Sequence, residues 1–72
     1  MFNVRISAQG RLAKNSRIGR EKVQVVLPEG GRVRDLLLEV GLFDEEVRRV
    51  IVNGRRARLD QALQRNDVIE VA

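Results

Sequence analysis

Asn53-Gly54, set between Val50-Ile51-Val52 and Arg55-Arg56-Ala57, restricts this chain more than any other dipeptide in it. A two-residue connection of this kind closes a type I′ turn. Both central residues then need positive φ, and Asn followed by Gly accepts that most readily. Counting outward from the turn sets the register: Val52 opposite Arg55, Ile51 opposite Arg56, and Val50 opposite Ala57. Successive side chains of a strand point to opposite faces, so Val50, Val52 and Ala57 share one face. Ile51, Arg56 and Arg58 share the other.

The remaining elements follow from periodicity. Phe2, Val4 and Ile6 alternate with Asn3, Arg5 and Ser7, the pattern of a half-buried strand. Residues 8–21 are polar and carry Gly10 and Gly19, which predicts a long connection with one irregular helical turn around Leu12 and Ala13. A second strand spans Lys22 to Leu27 with Val23, Val25 and Leu27 on one face. Pro28-Glu29-Gly30-Gly31 stops it, because proline cannot donate to a ladder. Val33, Leu36, Leu37 and Val40 then fall at i, i+3, i+4 and i+7, one apolar stripe of a short amphipathic helix that Gly41 ends. Leu42 and Phe43 are expected to return to the core, and Asp44-Glu45-Glu46 to form a short turn that carries Val47 inward. After the hairpin, Leu59 to Leu63 reads as a turn tucking both leucines under the sheet, and Arg65-Asn66-Asp67 as a polar reversal. In the closing strand, Ile69 and Val71 take one face and Val68 and Glu70 the other.

The order is thus strand, strand, helix, strand, strand, strand. A helix of two to three turns does not persist alone and must pack on a sheet. The compact solution is an α+β domain over residues 1–72: a mixed sheet of about five strands with one helix across one face, its first and last strands paired in parallel at the centre. That is a β-grasp, or ubiquitin-like, fold. With the helix over Val50, Ile69 and Val71, Ile51 is left among arginines on the open face.

Composition narrows the chemistry. A core of 72 residues rarely supplies more than about 3–5 kcal/mol without staples or partners. The chain has no cysteine and no histidine, which excludes disulfides, Cys/His zinc sites, thiol nucleophiles and imidazole bases. Asp60 and Asp67 read as turn residues, Asp44, Glu45 and Glu46 as a solvated run, and Lys14 and Lys22 have no desolvating surroundings. No catalytic residue, metal or cofactor is therefore expected, and the chain is not read as an enzyme. Neither a secretory signal nor an apolar run long enough to span a bilayer occurs, so a soluble, cytoplasmic protein without a membrane partner is expected.

Fourteen Lys and Arg stand against ten Asp and Glu, for a net charge of +4, and twelve of the fourteen are arginine. That bias favours planar, bidentate recognition of carboxylate or phosphate. Arg11, Lys14, Arg17 and Arg20 crowd the first connection and form a candidate anion-binding set, against the plainer reading of a solvated loop. The two aromatics, Phe2 and Phe43, both read as core, so no ring is left for base stacking.

Leu27-Pro28-Glu29-Gly30, Val33-Arg34-Asp35-Leu36-Leu37, Val52-Asn53-Gly54, Leu63 and Asn66-Asp67-Val68-Ile69-Glu70-Val71, in that order and spacing, resemble the small sulfur-carrier proteins of thiamine and molybdopterin biosynthesis, the ThiS/MoaD family. The resemblance covers nearly the whole chain. It implies a protein partner, an activating enzyme or a cofactor-biosynthesis enzyme. It also implies a contact surface on the open sheet face and last strand, carried over to Ile51, Arg56, Arg58, Glu70, Val71 and Ala72. In that family a C-terminal Gly-Gly is adenylated and converted to a thiocarboxylate. Here only Ala72 follows Val71, and the internal Gly30-Gly31 offers no carboxylate. The expectation is a non-enzymatic binding module of the sulfur-carrier type, with a true carrier bearing a further tail as the alternative. The Val-Asn-Gly hairpin and the Asp-Val-Ile-Glu strand are also similar to TGS β-grasp domains, which would imply an RNA-binding or regulatory role for the basic connection.

Overall fold

The computed structural model describes residues 1–15 and 18–72, Asn15 by its backbone alone. Along the chain come β1 (Phe2–Ala8), α1 (Gly10–Asn15), β2 (Val23–Leu27), α2 (Val33–Glu39), a 3₁₀ turn (Asp44–Glu46), β3 (Val50–Val52), β4 (Arg55–Arg56) and β5 (Val68–Val71). The strands form one sheet in the order β2-β1-β5-β3-β4. β1 and β5 run parallel at its centre, with Ile6 opposite Ile69 and Ala8 opposite Val71, and the remaining neighbours are antiparallel. This is the mixed five-stranded β-grasp sheet that the element order predicts.

The hairpin has the register set by its turn. Val52 faces Arg55 and Ile51 faces Arg56, and the Ala57 N–H donates to the Val50 carbonyl at 2.9 Å. Asn53 and Gly54 hold φ of 52° and 84°, the left-handed values of a type I′ turn. Asn53 also does more than turn the chain. Its Oδ1 accepts from the Val68 N–H at 2.9 Å and its Nδ2 donates to the Asp67 carboxylate at 2.8 Å, while the other Asp67 oxygen accepts from the Gln64 N–H at 2.8 Å. One side chain therefore ties the hairpin tip to the start of β5.

α2 lays Val33, Leu36 and Leu37 into the core, all fully buried, against Val4, Ile6 and Ile69 of the central strands. Its first N–H groups need partners from outside the helix. Arg32 stands at the N-cap, and arginine has no acceptor to offer. The chain supplies carbonyls instead: the Val33 N–H donates to Gln61 at 3.0 Å and the Arg34 N–H to Leu59 at 2.8 Å. The Arg32 N–H donates to the Asp35 carboxylate at 2.8 Å, the one half of a capping box these residues can make. Residues 59–63 are thus a strap across the start of α2, with Leu63 buried and Leu59 half-buried. Gly31 closes the turn after β2, its N–H donating to the Pro28 carbonyl at 3.0 Å. A Cβ there would stand 3.1 Å from that carbonyl oxygen and 3.2 Å from the Leu27 Cβ, a fit that would force the turn to shift.

Two sequence expectations are corrected. Residues 10–15 form a short helix, α1, that buries Leu12, where one irregular turn is expected. Val23 shares its face with Val25 and Leu27 as the alternation predicts, and on this edge strand it is 43% exposed. Phe43 is not core: it is 67% exposed. The helix ends in a Schellman arrangement, the Gly41 N–H donating to Leu38 and the Leu42 N–H to Leu37. Leu42 takes the inward apolar position that this motif provides, and the next residue is turned out.

Two outcomes check this account. Asn53→Gly keeps the turn conformation and removes both side-chain bonds, and should cost about 1–2 kcal/mol in urea unfolding. Asn53→Ala adds a left-handed penalty of about 1–2 kcal/mol more. Phe43→Ser should change stability by no more than about 0.5 kcal/mol, whereas Leu42→Ala should cost about 2–5 kcal/mol.

Candidate functional site

The face of the sheet opposite α2 carries a row that crosses four strands. Ser7 of β1 faces Glu70 of β5, Glu70 faces Ile51 of β3, and Ile51 faces Arg56 of β4. Ser7 is buried, Glu70 and Arg56 are exposed, and Ile51 is half-buried. The row places one branched aliphatic between an acid and a base. Arg58 is exposed just beyond β4. Val71 takes the other face: its side chain is buried to 1% exposure, because the alternation that turns Glu70 outward turns its neighbour into the core. Of the residues expected at the contact surface, Val71 therefore turns its side chain away from the open face, while Ile51, Arg56 and Glu70 lie in one row on it.

Ala72 is half-buried and held by its backbone. Its N–H donates to the Arg49 carbonyl at 3.0 Å, and its carbonyl oxygen accepts from the Arg48 and Arg49 N–H groups at 2.7 and 3.0 Å. On the other side of the strand, the Gln9 N–H donates to the Val71 carbonyl at 2.9 Å. Ala72 opens onto a groove of about 440 Å³ whose walls include Gly10, Arg11, Leu12, Glu45, Glu46 and Arg48.

The described members of the basic set of the first connection do not line one groove together. Arg11 and Lys14 are exposed on α1, Arg20 is exposed in the following segment, and Arg17 lies outside the described residues. Only Arg11 of these lines the groove beside Ala72, where Glu45 and Glu46 oppose it.

A stronger concentration of charge lies elsewhere. Arg34 of α2, Arg48 and Arg49 ahead of β3, and Arg56 and Arg58 at and beyond β4 surround a second groove of about 370 Å³, with Asp60 its one carboxylate. Its apolar wall is Val47, Val50, Ala57 and Leu59. Sequence reasoning misses Arg34, Arg48 and Arg49 here. The signal for Arg49 is present: continuing the hairpin count past Val50 and Ala57 sets Arg49 opposite Arg58. Arg34 arrives only through the strap that ties Leu59 to the start of α2.

No protein-family model matches the sequence, and the comparison with curated proteins gives no match. Solved structures do match. A putative molybdopterin converting factor, subunit 1, from Pyrococcus furiosus is 28% identical, over 99% of this chain and 95% of that one, with a TM-score of 0.75. The small archaeal modifier protein 1 of Haloferax volcanii is 20% identical, over 99% and 95%, also at 0.75. The chain resembles the ThiS/MoaD-type proteins and has their β-grasp fold. A GTP binding protein from Pyrococcus horikoshii contains the same fold in 20% of its length, at 19% identity and a TM-score of 0.55. Among the described residues no helix is long and apolar enough to cross a membrane.

The backbone account of the chain end is checked by amide hydrogen exchange. The Ala72, Arg48 and Arg49 N–H groups should exchange with protection like that of β5, whereas a frayed end would exchange at the rate of an unstructured peptide.

Proposed function

We propose that this protein is a non-enzymatic binding module of the sulfur-carrier type, which docks a protein partner on the open sheet face. The observation that carries the reading is the Glu70-Ile51-Arg56 row, an aliphatic side chain flanked by opposite charges at the surface of a sheet whose other face is sealed by α2. An apolar centre with a charged rim is the anatomy of a protein contact. Arg58 extends the rim, and Ala72, held beside the next strand, stands at its end. Likeness to the P. furiosus converting-factor subunit over nearly both whole chains supports a partner from cofactor biosynthesis, an activating enzyme or an enzyme that acts after it. Binding, not catalysis, is the proposed activity, in the cytoplasm and with no cofactor of its own.

Ile51→Asp tests it. A half-buried strand position tolerates the change at a cost of about 1 kcal/mol, so the variant should fold, while capture of the partner from the source cell should be lost. An unfolded variant would show instead that Ile51 belongs to the core.

The same resemblance admits a carrier whose carboxylate is activated, and the native protein decides between them. A mass spectrum with a diglycine thiocarboxylate beyond Ala72 would make the protein a sulfur donor, and a spectrum ending in an ordinary carboxylate would make it a binding module.

A further inference from the structure

We infer that the arginine-walled groove at the β4 edge binds the di- or triphosphate group of a small organic phosphate. Five guanidinium groups, from Arg34, Arg48, Arg49, Arg56 and Arg58, face one carboxylate, that of Asp60. Among the described residues none of the five makes a salt bridge, and the one ion pair found among them joins the Met1 amine to Glu29, neither of which lines the groove. Like charges gathered without counter-charges repel, and a bound polyanion removes that repulsion. No lysine lines the groove. Its cations are all of the type that grips tetrahedral oxyanions with paired N–H donors.

Size and lining select the ligand further. About 370 Å³ falls at the lower end of small-molecule sites, which run from about 300 to 1,000 Å³, and is short for a peptide or a nucleic-acid strand. Val47, Ala57 and Leu59 are half-buried and supply an apolar surface for an organic portion beside the phosphates. Asp60 at the rim can accept from a ligand hydroxyl. No aromatic lines the groove, so successive bases of a strand would find no ring to stack on. The site stands apart from the partner-docking proposal except at Arg56 and Arg58, which reach both.

Calorimetric titration of the full chain with ADP, inorganic triphosphate, a Glu-rich peptide and a short single-stranded RNA, with amide shifts mapped in parallel, tests this. ADP and triphosphate should each saturate one site, shifting the amides of Arg34, Val47 to Val50 and Arg56 to Asp60, with affinity falling as salt rises. Arg49→Gln and Arg58→Gln should each weaken binding about tenfold or more, as loss of a charged hydrogen-bonding group does. Arg58→Lys should fall between, because it keeps the charge and loses the fork. The pair Arg11→Gln with Arg20→Gln should change affinity less than about twofold, since both lie off the groove. Absence of saturable binding, or equal losses from the Arg11 and Arg20 pair, would overturn the assignment. So would tighter binding of the peptide or the RNA than of ADP, since the groove would then be a dock for a macromolecule.

Discussion

The parallel pairing of β1 with β5 is the constraint on which the rest of this structure depends. Ile6 and Ile69 meet there with no exposed surface, and a parallel pair cannot be closed by a tight turn. Everything between the two strands has to serve as the crossover. α2 covers that pair on one face, β2 flanks β1, and the β3-β4 hairpin flanks β5. The pairing also joins the two ends of the chain, so the last residues are placed by the first ones: Gln9 bonds to Val71, and Arg5 to Asp67. With no cysteine in the sequence, sixteen buried apolar residues among those described, together with the hydrogen bonds of Asn53 and Asp67, hold this arrangement.

How much of this is legible in the sequence depends on whether the signal is local. The hairpin register is, since Asn53-Gly54 admits one turn and the turn admits one alignment. The α2 stripe is equally plain, because Val33, Leu36 and Leu37 repeat at helical spacing and are all buried. Phe43 misleads because hydrophobicity is a property of the residue, whereas its direction is set by the cap before it: the Schellman bonds fix Leu42 inward and leave Phe43 outside. At Val23 the face is read correctly and the edge position of β2 leaves it 43% exposed. A period-2 pattern gives which side chains share a face and says nothing of how far the helix above it reaches.

The arginine groove is the part of the site least visible in one dimension. Its residues come from α2, from the approach to β3 and from the exit of β4, and two contacts bring them together. The hairpin, paired out to Val50 and Ala57, brings Arg56 and Arg58 to the same groove as Arg48 and Arg49, and the strap carbonyls of Leu59 and Gln61 take the first N–H groups of α2, which draws Arg34 alongside. The strap exists because Arg32 cannot cap the helix with its own side chain. A weak local signal at the helix start is thus made good by a tertiary contact, and the same contact assembles the charge cluster. Concentrating positive charge beside a small core works against stability. The arrangement persists because Asn53, Asp67 and the buried strands hold the hairpin independently of what the arginines do.

The chain end and the charged groove are also mechanically connected. Arg48 lines both grooves, and the N–H groups of Arg48 and Arg49 hold the Ala72 carbonyl. These two residues therefore line one groove while their backbone N–H groups hold the Ala72 carbonyl. The Glu70-Ile51-Arg56 row adjoins the same segment through β3, since Ile51 follows two residues after Arg49. In a fold shared by free-standing small proteins and by a fifth of a GTP binding protein, architecture does not assign an activity. The chemistry laid on that architecture here is one aliphatic side chain on an open face, a backbone-held Ala72, and five arginines without a salt bridge among the described residues.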